Sequence, residues 1–167
     1  MSYGRFAAMI ATSTVVMFGL MYLNTYALDH VTYSQTRTWM ALLMGAVMAV
    51  IMMSYMWSMY HRSVVNISII AGSVVIAALS LWLVRSQETV GDVSYMKAMI
   101  PHHSIAILTS ERAQISDPRV RQLADQIIET QVREIREMKD LIAEIEAGPL
   151  ASDSARLRAY RGQVVQP

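Results

Sequence analysis

The segment "DVSYMKAMIPHHSIAILTSERAQISDPRVRQLADQIIETQVREIREMKDLI", residues 92–142, predicts a hairpin of two antiparallel helices. Asp92 suits the N-cap of a first helix over residues 93–114, because its carboxylate can accept hydrogen bonds from the free N–H groups of the first turn. The sequence "ISDP", residues 115–118, then interrupts the helical pattern. A helix that ends here must fold back along the next one, so this segment decides the fold of the C-terminal half.

The second helix is predicted over residues 118–147. Asp117 can cap its N-terminus, and Pro118 fits the first helical position, where a missing N–H costs nothing. Gly148 and Pro149 end the helix. Along it, residues recur in steps of four and three, which is typical of a helix packed along a seam. The seam consists of Val120, Ala124, Ile127, Gln131, Glu134, Met138, Leu141 and Ile145, flanked by Ile128, Ile135 and Ile142.

Two members of this seam, Gln131 and Glu134, are polar. Burying a carboxylate costs several kcal/mol unless it is paired or bound, so a polar group should face them. On a helical wheel, the first helix places its methionines and histidines within about 120° of one face. These residues are Met96, Met99, His102 and His103. Folding the hairpin brings His103 level with residues 130–131, so the polar gap of one helix faces the imidazoles of the other.

Pro101 lies inside the first predicted helix. Proline lacks an N–H, so a backbone carbonyl near Lys97 loses its partner there. A kink beside metal ligands can aim their side chains, but a bent helix is also common without any ligand. Both interpretations of Pro101 stay open.

The N-terminal half predicts a membrane region. The chain is 54% hydrophobic and only 16% charged, and nearly all of its charge follows Arg85. Three apolar runs reach the roughly 20 helical residues that a bilayer requires, and none contains Asp, Glu, Lys or Arg. We therefore predict a three-span transmembrane region over residues 1–85, a soluble hairpin over residues 86–148 and a flexible tail over residues 149–167. The spans are residues 6–28, 39–59 and 64–84.

The first span has a longer apolar core than a signal peptide and no suitable cleavage site, so we interpret it as a retained helix. The few arginines at the span ends only weakly specify the topology. The N-terminal amine and the short turn "HRS", residues 61–63, favour an N-terminus inside the cell. We expect a multi-pass protein of the bacterial inner membrane, in contact with lipid, with its C-terminal domain in the periplasm.

Composition also bears on function. The net charge is +1 and the basic residues alternate with acidic ones, so we expect no nucleic-acid partner. The absence of cysteine excludes disulfides and thiolate metal sites. No nucleophile–base pair or phosphate loop is recognisable, and we predict that the protein is not an enzyme. A di-iron site would need a Glu three residues before a histidine, which neither His102 nor His103 has.

Thioether and imidazole ligands together suit copper, especially Cu(I). Glu134 would orient a histidine or bind Cu(II), and Gln131 could act by hydrogen bonding. The competing interpretation is a helical core in which methionine is a flexible filler and a His–Glu pair satisfies itself. The second span contains methionines at every fourth position, and we interpret this ladder too as flexible apolar filler. The ladder consists of Met40, Met44, Met48, Met52 and Met56.

Residues 92–142 resemble the domain-of-unknown-function family 305, whose hallmark is an M-x-x-M-I-P-H-H helix followed by a helix with I-x-x-x-Q-x-x-E-I-x-x-M. The membrane half resembles a subgroup with three spans ahead of that domain. The resemblance implies an all-α, ferritin-like hairpin that assembles into bundles, and some members of the family bind copper. It places candidate metal ligands at Met96, Met99, His102, His103 and Met138, with Gln131 and Glu134 at the polar positions. Many members carry a further methionine where this chain has Thr109.

The resulting hypothesis is a membrane-anchored copper-binding protein that binds, buffers or hands on copper. The alternative is a structural or interaction module, in which the His/Gln/Glu layer specifies helix pairing without metal. A lone two-helix hairpin has little core, so a homo-oligomer or partner helices are expected under both hypotheses.

Overall fold

A computed structural model describes residues 2–148, which form an all-helical chain without a strand. The predicted tail, residues 149–167, lies outside the described residues. Short 3₁₀ turns occur at Leu28–His30 and Trp57–Met59. The helices are α1 (Tyr3–Leu20), α2 (Gln35–Tyr55), α3 (Ser63–Ser86), α4 (Asp92–Arg112) and α5 (Pro118–Ala147).

The first three helices are long and apolar enough to cross a membrane. Helix α2 lies between α1 and α3 and packs against both. Because the chain reverses after each helix, the α1–α2 loop and the α4–α5 hairpin lie on the same side of this three-helix unit. The expectation of membrane-length helices ahead of a helical hairpin is confirmed.

Helix α1 ends at Leu20, well before the end of the predicted run 6–28. The guanidinium of Arg37 donates a hydrogen bond of 2.6 Å to the carbonyl oxygen of Met21, and it also lies 4.4 Å above the Tyr22 ring. These contacts hold the chain in a loop, residues 21–34. Helix α2 begins four residues earlier than predicted, because the Ser34 hydroxyl caps it by accepting from the Arg37 N–H at 3.3 Å.

A polar contact ties α1 to α3 at the opposite end of the helices. Asn66 is fully buried, and its side-chain oxygen accepts a hydrogen bond of 2.8 Å from the Tyr3 hydroxyl. Its amide nitrogen donates to the Tyr60 carbonyl at 3.2 Å. A buried amide must be satisfied inside a membrane protein, so these bonds fix the register of the two helices.

The α4–α5 hairpin follows the predicted outline except in α4, which begins one residue before and ends two residues before its predicted bounds. Asp117 caps α5 as predicted, since its Oδ1 accepts from the Arg119 N–H at 2.8 Å. The prediction that Asp92 caps α4 is wrong: Gly91 is the N-cap, without a side-chain hydrogen bond. Asp92 is instead the first helical residue, where its charge still favours the positive end of the helix dipole.

The α5 side of the hairpin core is formed by two isoleucines that flank the predicted seam and by Met138 of the seam itself. On α5, Ile135 and Ile142 are buried, whereas the seam residues Leu141 and Val120 are 40% and 49% exposed. Helix α5 is therefore rotated about its axis relative to the seam-centred arrangement. The buried cluster consists of Met96, Ile100, Ile107, Ile135, Met138 and Ile142.

We predict that Gly45→Ala destabilises the packing of α1 on α2. A methyl group at Gly45 would collide with the Thr14 side chain, and overpacking of this kind costs about 1–3 kcal/mol. The measurement is the thermal unfolding midpoint in detergent. Gly72→Ala is the matched control, because no atom of residues 2–148 lies within 4 Å of a methyl group there. Adding Thr14→Ala should rescue Gly45→Ala, and equal midpoints for both alanine variants would contradict this packing.

Candidate metal site

An open cleft of about 610 Å³ runs between α4 and α5 on the side of the hairpin where the seam is exposed. It combines thioethers, an imidazole and carboxylates, with apolar side chains between them. These groups come from both helices, so the hairpin register determines which of them meet. The lining residues are Asp92, Tyr95, Met96, His103, Glu134, Glu137, Met138, Leu141 and Ile145.

The two thioethers of the cleft, Met96 and Met138, come from opposite helices. They are only 7% and 9% exposed, and both also belong to the buried cluster of the hairpin. Their sulfur atoms can serve as packing atoms and as soft ligands at the same time. Burial alone therefore does not separate a metal site from a core.

His103 supplies the imidazole of the cleft. Its Nδ1 lies 3.3 Å from Oε2 of Glu134, within ion-pair distance. The alignment is nevertheless too poor for a hydrogen bond, and the buried Nδ1 atom has no hydrogen-bond partner among residues 2–148. Hydrogen bonds weaken steeply when they bend, so the short distance between the two groups does not make a hydrogen bond. A buried polar atom without a partner is costly, and a bound ligand would remove that cost.

Burial lowers the pKa of His103 below its usual value. The Glu134 carboxylate opposes this shift, and neighbouring His102 adds to it. The neutral imidazole is therefore favoured, which is the form that binds a metal.

Gln131 lies at the edge of this polar group. Its Nε2 is 3.5 Å from Oε2 of Glu134, at the outer limit of a hydrogen bond. The side chain of Glu134 is 39% exposed, so water reaches this carboxylate. The predicted pairing of the polar gap with an imidazole is thus present, through His103 and Glu134. It lies about one turn further along α5 than residues 130–131.

Two of the predicted ligands do not line the cleft. Met99 is half-buried and packs against the edge of the hairpin core. His102 is exposed, and its ring centre lies 6.1 Å from that of His103. The structure therefore gathers Met96, His103 and Met138 in one cleft and leaves the other two outside it.

A second group of polar residues was not found from the sequence. The fully buried Ser104 hydroxyl accepts a hydrogen bond of 2.7 Å from the Tyr26 N–H, and it lies 3.0 Å from Nδ1 of His30. Asp29 Oδ2 lies 3.9 Å from the other ring nitrogen of His30. This Ser–His–Asp set resembles a hydrolase triad in composition, but the serine is closed to solvent and already accepts a backbone N–H. The arrangement links the α1–α2 loop to α4.

No three His, Asp or Glu side chains converge as a metal site anywhere in residues 2–148. This part of a single chain therefore has no ligand set for a di-iron carboxylate centre. A site in the cleft would have to include the methionine sulfur atoms.

Comparison with known proteins places the hairpin in a family. Residues 83–161 match the family described as "Domain of unknown function (DUF305)", so the suspected family is confirmed for this part of the chain. "Uncharacterized protein L153" of Acanthamoeba polyphaga mimivirus is 34% identical over 96 residues. That alignment covers 56% of this chain and 62% of the viral protein. No solved structure matches the chain.

We predict that the protein loses stability in mild acid. The pKa values of His30 and His103 are both lowered mainly by burial, so the unfolded chain takes up protons at a higher pH than the folded one. Stability should be constant above the unfolded histidine pKa of about 6.5 and should fall below it, down to the two folded values. Thermal unfolding of the full chain between pH 8 and pH 5, with His30→Gln and His103→Gln in parallel, measures this. Each replacement should flatten part of the slope, and a profile that is unchanged in both variants would contradict the assignment.

Proposed function

We propose that this protein is a membrane-anchored copper-binding protein that binds, buffers or hands on copper in the cleft between α4 and α5. The observation that carries the proposal is the buried Nδ1 of His103, which has no hydrogen-bond partner in the described part of the chain and lies in a cleft that also contains two methionines. An imidazole and thioethers without thiolate match the preference of Cu(I).

Met96, Met138 and His103 would hold the ion. Glu134 would balance the charge and orient the imidazole, and Gln131 in turn contacts Glu134. Met99 and His102 lie one turn or less from the cleft on α4. Both remain candidate ligands, His102 for an ion shared with a neighbouring chain.

The location that fits this chemistry is the outer face of a bacterial inner membrane, with the hairpin in the periplasm. Thioether and imidazole ligands keep their binding form in an oxidising compartment, where a thiolate site is easily lost. The three apolar helices would anchor the protein in lipid.

An assembly of hairpins is part of the proposal. Two helices bury little surface, and several large apolar side chains of this hairpin remain exposed. A homo-oligomer or partner helices would cover them. These side chains are Tyr95, Val120, Leu123, Val132 and Leu141.

One observation favours a second candidate function. The contacts among His103, Glu134 and Gln131 form a polar layer inside a helical interface. Such a layer can specify register and partner choice without metal. In that case the protein is a helix-pairing module, and the methionines only fill space.

We predict that the full chain, purified anaerobically in detergent, binds Cu(I) in competition with a chelator. Met96→Leu and Met138→Leu should each weaken binding by at least about the 10–100-fold that is typical of changes near a metal. Leucine fills a similar volume, so the fold should persist and can be checked by circular dichroism.

Met59→Leu is the matched control, because Met59 is exposed and lies outside the cleft. Met99→Leu tests whether Met99 also contributes a ligand. Equal affinities of the wild type and both cleft variants would exclude the proposed site and favour the helix-pairing module.

A further prediction concerns topology. Ser58 and Gly148 are exposed and should face opposite sides of the membrane. Ser58 lies between α2 and α3, at the end of the spans that is opposite the hairpin. The native chain has no cysteine, so Ser58→Cys and Gly148→Cys each create one reactive thiol. We apply a membrane-impermeant maleimide to cells whose outer membrane is permeabilised and whose inner membrane is intact. It should label Gly148→Cys alone. Labelling of Ser58→Cys alone would place the hairpin in the cytoplasm.

A further inference from the structure

Pro101 leaves the carbonyl of Lys97 without its helical partner, and the α1–α2 loop supplies one. The Thr32 hydroxyl donates a hydrogen bond of 2.6 Å to the Lys97 oxygen. Thr32 is 65 residues away in sequence, so the missing bond within α4 is replaced by a bond between the membrane half and the hairpin.

Two further residues of the hairpin, Ser104 and Lys139, contact the same loop. Ser104 accepts from the Tyr26 N–H and contacts His30, at a position where it is completely buried. Lys139 of α5 forms an ion pair of 2.6 Å with Asp29. The loop therefore contacts α4 on both sides of Pro101, and it also contacts α5.

These contacts directly adjoin the candidate metal site in sequence. Lys97 follows Met96, and Ser104 follows His103. Consecutive helical residues point about 100° apart, so the loop contacts α4 beside the residues that line the cleft. The loop thus contacts α4 at the residues that directly follow Met96 and His103.

We propose that residues 26–32 act as a clamp that fixes α4 on the membrane half and thereby positions Met96 and His103 in the cleft. Thr32 and Ser104 are positioning residues of this clamp, since neither lines the cleft. The effect on copper rests on the proposed function, whereas the clamp contact itself does not.

The clamp can be measured with native side chains. A carbodiimide joins a carboxylate and a neighbouring lysine amine in an amide bond. The carbodiimide takes up the water that is lost and becomes a urea. In the full chain in detergent it should join Asp29 to Lys139 across the clamp, and Lys97 to Glu146 within the hairpin. Both pairs are 2.6 Å apart, so the second pair is an internal control in the same sample. Mass spectrometry of the cross-linked peptides gives the ratio of the two products.

Thr32→Val removes the hydroxyl at nearly unchanged shape, and Thr32→Ser keeps it. We expect Thr32→Val to lower the ratio of the Asp29–Lys139 product to the Lys97–Glu146 product by about fivefold or more, and Thr32→Ser to retain the wild-type ratio. Cu(I) affinity should follow the same order, with a loss of about fivefold in Thr32→Val, the lower end of typical couplings between sites. Ser104→Ala should act like Thr32→Val in both measurements.

The outcomes separate the two proposals. An unchanged cross-link ratio in Thr32→Val, or no Asp29–Lys139 product in the wild type, would overturn the clamp. A lowered ratio with unchanged Cu(I) affinity would overturn its positioning of the metal site. A lowered ratio in a chain whose wild type binds no Cu(I) would support the clamp contact and overturn the proposed copper function instead.

Discussion

Packing of the isoleucine row of α5 against α4 holds the hairpin together, and every feature of the candidate site depends on that contact. Because Ile135 and Ile142 take the buried positions, Met138 on the adjacent face reaches both the core and the cleft. The same rotation leaves Leu141 and Val120 exposed. One packing choice thus creates the cleft and also the apolar surface that partner helices would cover.

One polar atom of the cleft, Nδ1 of His103, is buried at an energetic cost. His103 is mostly buried beside Glu134, yet its Nδ1 has no hydrogen bond within the described residues, and burial lowers the pKa of the ring. A purely structural His–Glu pair would be expected to close that hydrogen bond. A neutral imidazole with a free nitrogen beside two thioethers is the state that the proposed soft-metal site would require before it binds an ion.

The hairpin is also connected to the membrane half through the loop that Arg37 and Ser34 shape. Thr32 satisfies the carbonyl freed by Pro101, and Ser104 and Lys139 add two more contacts. A small hairpin with an incomplete core gains support from these bonds. They also give a physical route by which the position of the spans can act on the helix that carries the histidines.

The sequence by itself determined the local elements. Hydropathy indicated three membrane-length helices, Asp117 and Pro118 marked the start of α5, and Pro101 correctly indicated a free carbonyl at Lys97. These features depend on short-range rules, such as missing N–H groups and side-chain caps, that neighbouring residues fix. The tertiary structure alone decided the rotation of α5, the register that places Glu134 rather than residues 130–131 beside His103, the exposure of His102 and the role of Thr32. Those depend on which surfaces pack together over long sequence separations, and side chains of equal hydrophobicity on adjacent helix faces do not distinguish the alternatives.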